Sequence, residues 1–249
     1  MKEDVSVHFD KALQQARFVE RPNRFILRCL LPANFQGTHP PGAGEIVEAH
    51  LADPGRLREL LVPGRKIWLR EANGTGRKTR WSAVLCESPA GDSFVSLDST
   101  LPNRLIGRAL AAGVMTEFAG WSLVRPEFPL GSSRWDFLLT NPAGRRLLLE
   151  VKSVTLVEEK TALFPDALTA RGAKHMRELA HIVRDGAYDA AVLFVAQRDE
   201  AECIRAAPHI DPVFAAALAD AKAAGVGIYG RKCSISLTGV SLGRSLPAG

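Results

Sequence analysis

The sequence predicts a two-part chain, in which a small β-barrel is followed by an α/β domain with a mixed sheet. Short strands separated by Gly- and Pro-containing turns fill residues 24–97. Beyond residue 102 the predicted order is strands first, then helix, strand, helix and strand. The 249 residues, of which 46% are hydrophobic, suffice for two cores. We therefore expect one domain at residues 1–100 and a second at 101–249.

The first domain is expected to begin after a short polar leader and to contain five strands and one helix. The strands are predicted at residues 24–31, 45–50, 66–70, 80–86 and 93–97, with loops at 32–44 and at Asn73-Gly74. Asp53, then Pro54, then leucines at 57, 60 and 61 predict a short helix over residues 53–61. This pattern is typical of an oligonucleotide-binding barrel, although a generic antiparallel domain fits it equally well.

The second domain is expected to begin with a helix at residues 103–111 and to continue as a hairpin-rich sheet. Strands are predicted at 121–124, 135–139 and 146–151, with a turn at 141–144. Helices at 171–184 and 212–224 flank a buried strand at 190–196, and a last strand starts at 226. Residues 241–249 are expected to be a frayed tail.

The charge balance indicates a polyanion partner for the first part of the chain. The net charge is +5, and residues 1–110 hold 16 basic and 12 acidic side chains, so +4 of the excess lies there. A basic half beside a neutral one fits a nucleic-acid-binding module, although many mildly basic proteins bind no nucleic acid. Candidate contacts to nucleic acid are Arg56, Arg58, Lys66 and Arg70.

Composition argues against several protein classes. The longest apolar runs have seven residues, whereas a membrane-spanning helix needs about 20. The first residues lack the apolar core of a secretory signal, so we expect a cytoplasmic protein without a membrane partner. The four cysteines have no spacing typical of a zinc site or a disulfide framework, which favours buried, reduced thiols.

Three charged residues that interrupt apolar strands form the candidate catalytic group. Glu150 and Lys152 are two positions apart and share one face of a strand, and Asp136 lies on the strand before it. Asp136 and Glu150, with the carbonyl of Val151, would bind Mg²⁺ or Mn²⁺, and Lys152 would position or help deprotonate an attacking water. This chemistry is phosphodiester hydrolysis. A structural Glu-Lys pair beside a solvated Asp136 accounts for the same residues.

Other polar residues are accessory candidates. Glu127 could be a further carboxylate of the site or a surface residue, and Gln197 follows a buried strand, where α/β sheets bind ligands. Arg171 and Lys174 open a helix and could hold phosphates. His175 is expected to be a surface residue or a DNA contact.

Five strings carry a resemblance to a known family. They are His-Leu-Ala-Asp-Pro-Gly-Arg-Leu at 50–57, Leu-Pro-Asn-Arg-Leu at 101–105, Ser-Arg-Trp-Asp-Phe at 133–137, Leu-Glu-Val-Lys-Ser-Val-Thr-Leu at 149–156, and Phe-Pro-Asp-Ala at 164–167 with Arg-Gly-Ala-Lys-His at 171–175. Together they resemble the bacterial and archaeal sugar fermentation stimulation protein A family. Trp135 stands where that family more often has Phe, on the core side of the strand.

The resemblance implies an N-terminal oligonucleotide-binding (OB) barrel and a C-terminal domain of the PD-(D/E)xK nuclease type. It also implies DNA binding without marked sequence preference and a regulatory link to sugar, notably maltose, metabolism. The nuclease roles fall on Asp136, Glu150 and Lys152, and less securely on Gln197. Three functions stay open: a magnesium-dependent nuclease acting on DNA or RNA, a non-enzymatic DNA-binding regulator, and a sugar-sensing regulator with its own small-molecule pocket. A homo-oligomer is compatible with each of them.

Overall fold

The computed structural model describes residues 5–33, 44–72 and 78–249. These residues form two compact units. One unit contains residues 5–7 with Leu101–Ser234 and Ser241–Gly249, and the other contains the described part of His8–Thr100 with Ile235–Val240. The predicted Asn73-Gly74 turn and most of the predicted loop at 32–44 lie outside the described residues.

The unit built from His8–Thr100 is a closed barrel. The first seven strands of the chain are β1 (Ser6–His8), β2 (Gln14–Asn23), β3 (Ile26–Leu30), β4 (Ile46–Leu51), β5 (Lys66–Glu71), β6 (Trp81–Glu87) and β7 (Phe94–Ser96). Strands β4, β3, β2, β5 and β6 are hydrogen-bonded in that order, and a parallel pairing of β4 with β6 closes the ring. The predicted barrel is therefore confirmed, with the five-stranded connectivity of an OB fold.

Alternating side chains fill the barrel. On β3, Leu27 and Cys29 are buried while Arg28 and Leu30 between and after them are exposed, as expected for a strand with one face in a core. Strand β7 pairs only with β6 and lies outside the closed ring. The ring of strands is thus closed without the predicted strand at 93–97, whose Val95 and Leu97 are nevertheless buried in the barrel core.

Two predictions for this unit are wrong. The polar leader contains β2, the central strand of the barrel, which buries only Ala16 and Phe18 and so has a weak hydrophobic signal. Residues 53–61 form turns instead of a helix, because Leu57 has a left-handed backbone (φ 49°) and the Oδ1 of Asp53 accepts a hydrogen bond from the nitrogen of Gly55 at 2.7 Å. Leu57 is nevertheless buried in the barrel core.

The other unit is an α/β domain. Its further strands are β8 (Ser122–Leu130), β9 (Ser133–Thr140), β10 (Arg146–Val154), β11 (Leu156–Glu158), β12 (Thr161–Phe164), β13 (Asp189–Ala196), β14 (Cys203–Ala206), β15 (Gly227–Ser236) and β16 (Gly239–Leu246). Its helices are α1 (Leu101–Ala111), a 3-10 turn (Thr116–Phe118), α2 (Ala170–Arg184) and α3 (Pro212–Ala223). The main sheet has the order β1, β16, β15, β13, β10, β9, β8, and β11, β12 and β14 form a second sheet.

The main sheet is mixed and is flanked by helices, as predicted. Strands β8, β9 and β10 are antiparallel, whereas β13 runs parallel to both β10 and β15. Met176 of α2 and Phe214 of α3 are buried with Phe194 of β13 in one core. Asp211 joins the two helix starts, since it caps α3 by accepting from the nitrogen of Phe214 and also accepts from the nitrogen of Thr169.

The predicted frayed tail is also wrong. Residues Gly239–Leu246 form strand β16, Leu246 is buried, and Ala248 makes a bridge with Ile204.

Among the described residues, none of the helices combines the length and the apolar character that crossing a membrane requires. All four cysteines are free thiols, and burial raises the pKa of Cys29 and of Cys233 to about 12.

Candidate active site

The site lies where strands β9 and β10 stop pairing through their backbones. Their paired residues run from Arg146 opposite Thr140 to Leu149 opposite Phe137. Two residues further along β10, the nitrogen of Val151 donates to Oδ2 of Asp136 at 2.7 Å. A side chain therefore replaces the backbone acceptor there, while β10 continues beside β13 as far as Val154.

Glu150 is buried at the point where β9 and β10 separate, and one of its oxygens contacts the ammonium of Lys152. Its Oε1 accepts from Nζ of Lys152 at 2.5 Å and contacts Nδ1 of His175 at 2.7 Å. Its other oxygen, Oε2, is buried and has no hydrogen-bond partner among the described residues. A buried carboxylate oxygen without a donor is costly, so this atom marks the place where a further ligand would be stabilised.

His175 holds Glu150 from helix α2. The Nε of Arg171 donates to Nε2 of His175 at 3.4 Å, so the hydrogen-bond network assigns the ring proton to Nδ1, which then donates to Glu150. The prediction that His175 lies on the surface is wrong, since it is 3% exposed. It shares the buried face of α2 with Gly172 and Met176, a periodicity that the sequence already contained.

Asn103 was not predicted as part of this site. It lies on α1, and its Nδ2 donates to Oδ1 of Asp136 at 2.6 Å, so both oxygens of that carboxylate accept a hydrogen bond. Its position in the string at residues 101–105 was the available signal. The contact spans 33 positions of the chain, which periodicity cannot reach.

The two carboxylates differ in acidity because their neighbours differ. Burial and then the negative charge of Glu150 raise the pKa of Asp136 to about 6, against weaker opposing effects of the Val151 nitrogen and Lys152. Burial also favours the neutral form of Glu150, but the hydrogen bond of His175 and the charge of Lys152 outweigh it and lower its pKa. The site thus combines one firmly ionised carboxylate with one that protonates easily.

The donor set fits a divalent metal ion that keeps several waters. Among the described residues, no three His, Cys, Asp or Glu side chains are grouped so as to hold a metal. The site offers two carboxylates and the carbonyl of Val151, which points to the same side of the extended strand as its nitrogen, toward Asp136. Hard oxygen donors, one of them the unpartnered Oε2 of Glu150, are what Mg²⁺ binds with part of its water shell.

The accessory candidates are placed differently from one another. Glu127 on β8 is exposed and forms an ion pair with Arg134 at 2.8 Å. Lys174 is exposed and its Nζ donates to Oγ of Ser132 at 3.1 Å. Gln197 is buried directly after β13, and its Nε2 donates to Oγ of Ser153, the residue after Lys152, at 2.8 Å. Of these three, only Gln197 touches the strand that holds Glu150 and Lys152.

The predicted nucleic-acid contacts of the barrel fall into two pairs. Arg56 and Arg58 are exposed and form no ion pair with any residue that the structure describes. Lys66 forms an ion pair with Glu87 at 2.7 Å, and Arg70 lies 3.9 Å from Asp10. Arg171 lies in the α/β unit, beside His175.

Comparison with known proteins identifies both halves of the chain. Residues 19–97 match the model of the SfsA N-terminal OB domain, and residues 100–239 match the sugar fermentation stimulation protein RE domain. A sugar fermentation stimulation protein homolog of Shouchella clausii is 44% identical over 235 residues, covering 94% of this chain and 97% of the relative. A homolog of Moorella thermoacetica is 44% identical over 231 residues, covering 92% and 94%. The solved structure of Pyrococcus furiosus SfsA in complex with Ca²⁺ has a TM-score of 0.84 and 24% identity, covering 98% of each chain.

Proposed function

Because the chain belongs to the sugar fermentation stimulation protein family, we propose that it binds nucleic acid without marked sequence preference and hydrolyses phosphodiester bonds with a divalent metal ion. The observation that carries this proposal is the buried Glu150 with the half-buried Asp136 and Lys152 beside it, in which Oε2 of Glu150 lacks a hydrogen-bond partner among the described residues. A merely structural Glu-Lys pair would not need a second carboxylate nearby.

Asp136, Oε2 of Glu150 and the carbonyl of Val151 would hold Mg²⁺ or Mn²⁺. When bound, such an ion supplies Lewis acidity toward a phosphoryl oxygen and lowers the pKa of coordinated water. The Pyrococcus furiosus relative of the same fold was solved with Ca²⁺, which like Mg²⁺ takes oxygen ligands.

The protein's own groups position the reactants. Lys152, whose side chain is 14% exposed, keeps its ammonium against Oε1 of Glu150 and has two further N–H donors for a water or a phosphate oxygen. His175 contacts the same oxygen, and Oε2 of Glu150 has no hydrogen-bond partner among the described residues. Arg171, at the first turn of α2, offers a cation for a phosphate near this cluster.

A cleavage assay tests the proposal. Labelled single- and double-stranded DNA and RNA are incubated with the protein in Mg²⁺, Mn²⁺ or EDTA, and binding is followed in parallel. We expect metal-dependent cleavage that Glu150→Gln and Lys152→Ala each reduce at least about a hundredfold while binding persists. Glu158→Gln, which changes an exposed glutamate on strand β11, is the matched control and should cleave normally.

Binding without cleavage by the wild-type protein, with every substrate and metal, would refute the hydrolase. It would favour the alternative, a non-enzymatic DNA-binding regulator linked to sugar metabolism. Cleavage that persists in Glu150→Gln would place the active site elsewhere in the chain.

A further inference from the structure

The outer face of the barrel is poorly suited to phosphates on the strands that OB folds commonly use. In OB folds the second and third strands and the loop between the first two often contact oligonucleotides. Here those strands are β3 and β4, and Arg28 at their centre lies between Glu20 at 2.6 Å and Glu48 at 3.3 Å. One cation shared by two carboxylates leaves a net negative charge at this point of the face.

The other element that OB folds commonly use, the loop between the first two barrel strands, is here the turn between β2 and β3. The guanidinium of Arg21 donates to the carbonyls of Gly55 at 2.7 Å and Arg56 at 3.0 Å, and also to that of Arg24 at 2.8 Å. Since Arg24 belongs to the β2–β3 turn, these bonds hold the turn against the segment that carries Arg56. The turns formed by residues 53–61 are therefore held against the β2–β3 turn of the barrel.

An aromatic ring and a cation are exposed on this turn, and two more cations are exposed on the segment that Arg21 holds against it. Phe25 is 44% exposed, and the guanidinium of Arg24 lies 4.9 Å from the centre of its ring. Arg24, Arg56 and Arg58 are exposed and form no ion pair with any described residue. Of the two carboxylates in the same segment, Asp53 is buried and accepts a hydrogen bond from Gly55, and Glu59 is half-buried.

We infer that this surface, which consists of Arg24, Phe25, Arg56 and Arg58 and is called the Phe25 surface below, binds single-stranded nucleic acid. A base stacks on Phe25 and phosphates lie at the arginines. Single strands offer unstacked base faces to a protein ring, whereas a duplex keeps them inside. The inference rests on the proposed nucleic-acid binding and adds the strand type and the residues that select it.

Fluorescence anisotropy in EDTA tests the inference without cleavage. The probes are a labelled oligothymidylate of about 12 nucleotides and a duplex of the same length. We expect Phe25→Ala to weaken single-strand binding about ten- to a hundredfold and Phe25→Trp to retain it. Ile46→Ala removes an apolar side chain that is 60% exposed on the same barrel and should leave single-strand affinity unchanged.

Duplex and salt measurements separate stacking from simple charge attraction. Affinity for the duplex should be the same for the wild type and Phe25→Ala. Arg24→Ala and Arg56→Ala should each reduce the slope of log affinity against log salt by about 0.7. Thermal unfolding of Phe25→Ala verifies its fold, and Phe25→Trp supplies the same test without removing the ring.

Three outcomes would overturn the inference: no single-strand binding by the wild type, equal single-strand affinity of Phe25→Ala and Ile46→Ala, or an equal loss on single strand and duplex. The cleavage assay distinguishes a failure of this inference from a failure of the proposed hydrolysis. If the wild type cleaves but Phe25→Ala binds as tightly as the wild type, the Phe25 surface alone is refuted. If stacking is measured but no metal supports cleavage, the hydrolase alone is refuted.

Discussion

Asp136→Asn should stabilise the metal-free protein while abolishing cleavage. The pKa of Asp136 is about 6 in the folded protein, against an ordinary value of 3.8, because burial and the charge of Glu150 disfavour its ionised form. The folded state thus binds this proton more tightly than the unfolded state does. Stability therefore falls as the pH rises from about 4 to about 6, and the whole cost is present above that range.

The size of the effect follows from the pKa. The pKa of Asp136 differs by about two units between the folded and unfolded states, and each unit corresponds to about 1.4 kcal/mol. The ionised Asp136 therefore lowers the free energy of unfolding by about 3 kcal/mol at pH 7. An amide at position 136 removes the charge but keeps an oxygen for the nitrogen of Val151, and Asn103 can rotate its amide to accept from the new NH₂ group. We expect Asp136→Asn to gain about 1 to 3 kcal/mol in free energy of unfolding.

Urea denaturation in EDTA measures this gain. At pH 7.5 the variant should unfold at higher urea than the wild type, and at pH 4 the two should coincide. Asp220→Asn, which changes an exposed aspartate on α3, should stay within about 0.5 kcal/mol of the wild type at both values. A variant of Asp136 that is no more stable at pH 7.5, or one whose gain persists at pH 4, would refute the electrostatic argument.

Three further predictions concern neighbouring groups. His175→Ala should weaken Mn²⁺ binding, measured by calorimetry, about ten- to a hundredfold. His175→Asn keeps a hydrogen-bond donor for Glu150 and should therefore retain most of the Mn²⁺ affinity. An equal loss of affinity in both variants would assign His175 a packing role only. Adding Mn²⁺ should raise the melting temperature of the wild type but not of Glu150→Gln, and removing it with EDTA should reverse the rise. Burial favours the neutral form of Glu117, but two 2.8 Å hydrogen bonds from Arg231 outweigh burial and lower the pKa of Glu117. The stabilisation of the fold by this ion pair is therefore present above about pH 4.5 and is lost as the pH falls below that value. Glu117→Gln should cost about 2 to 4 kcal/mol in urea denaturation at pH 7 and less at pH 3; an equal cost at both would contradict the ion-pair explanation.

The local part of the site could be predicted from the sequence because strand geometry is local. Glu150 and Lys152 are two positions apart on β10, and the structure has them on one face and hydrogen-bonded. Asp136 is on the adjacent strand of the same hairpin, so short-range topology was enough to bring it near them. The partners that set their acidity, His175 and Asn103, come from helices whose docking no short-range pattern gives.

The barrel was predicted in type but not in detail. Strand β2 was missed because only two of its side chains are buried, and because its place in the barrel also depends on hydrogen bonds to β5, far along the chain. The helix at 53–61 was predicted from a good capping sequence. In the structure, Arg21 bonds to the carbonyls of Gly55 and Arg56, which a helix would have used for its own backbone, and the tertiary contacts win.

Neither compact unit is a continuous stretch of chain, and this matters for biosynthesis. The barrel unit includes Ile235–Val240, where Ile235 packs beside Trp68 and Thr238 accepts a hydrogen bond from the nitrogen of Phe9. When residue 100 leaves the ribosome, the barrel still lacks that segment, which follows more than a hundred residues later. Its final packing therefore waits for the last part of the chain, and a protein shortened after residue 234 should leave the nascent barrel with exposed apolar surface at Trp68.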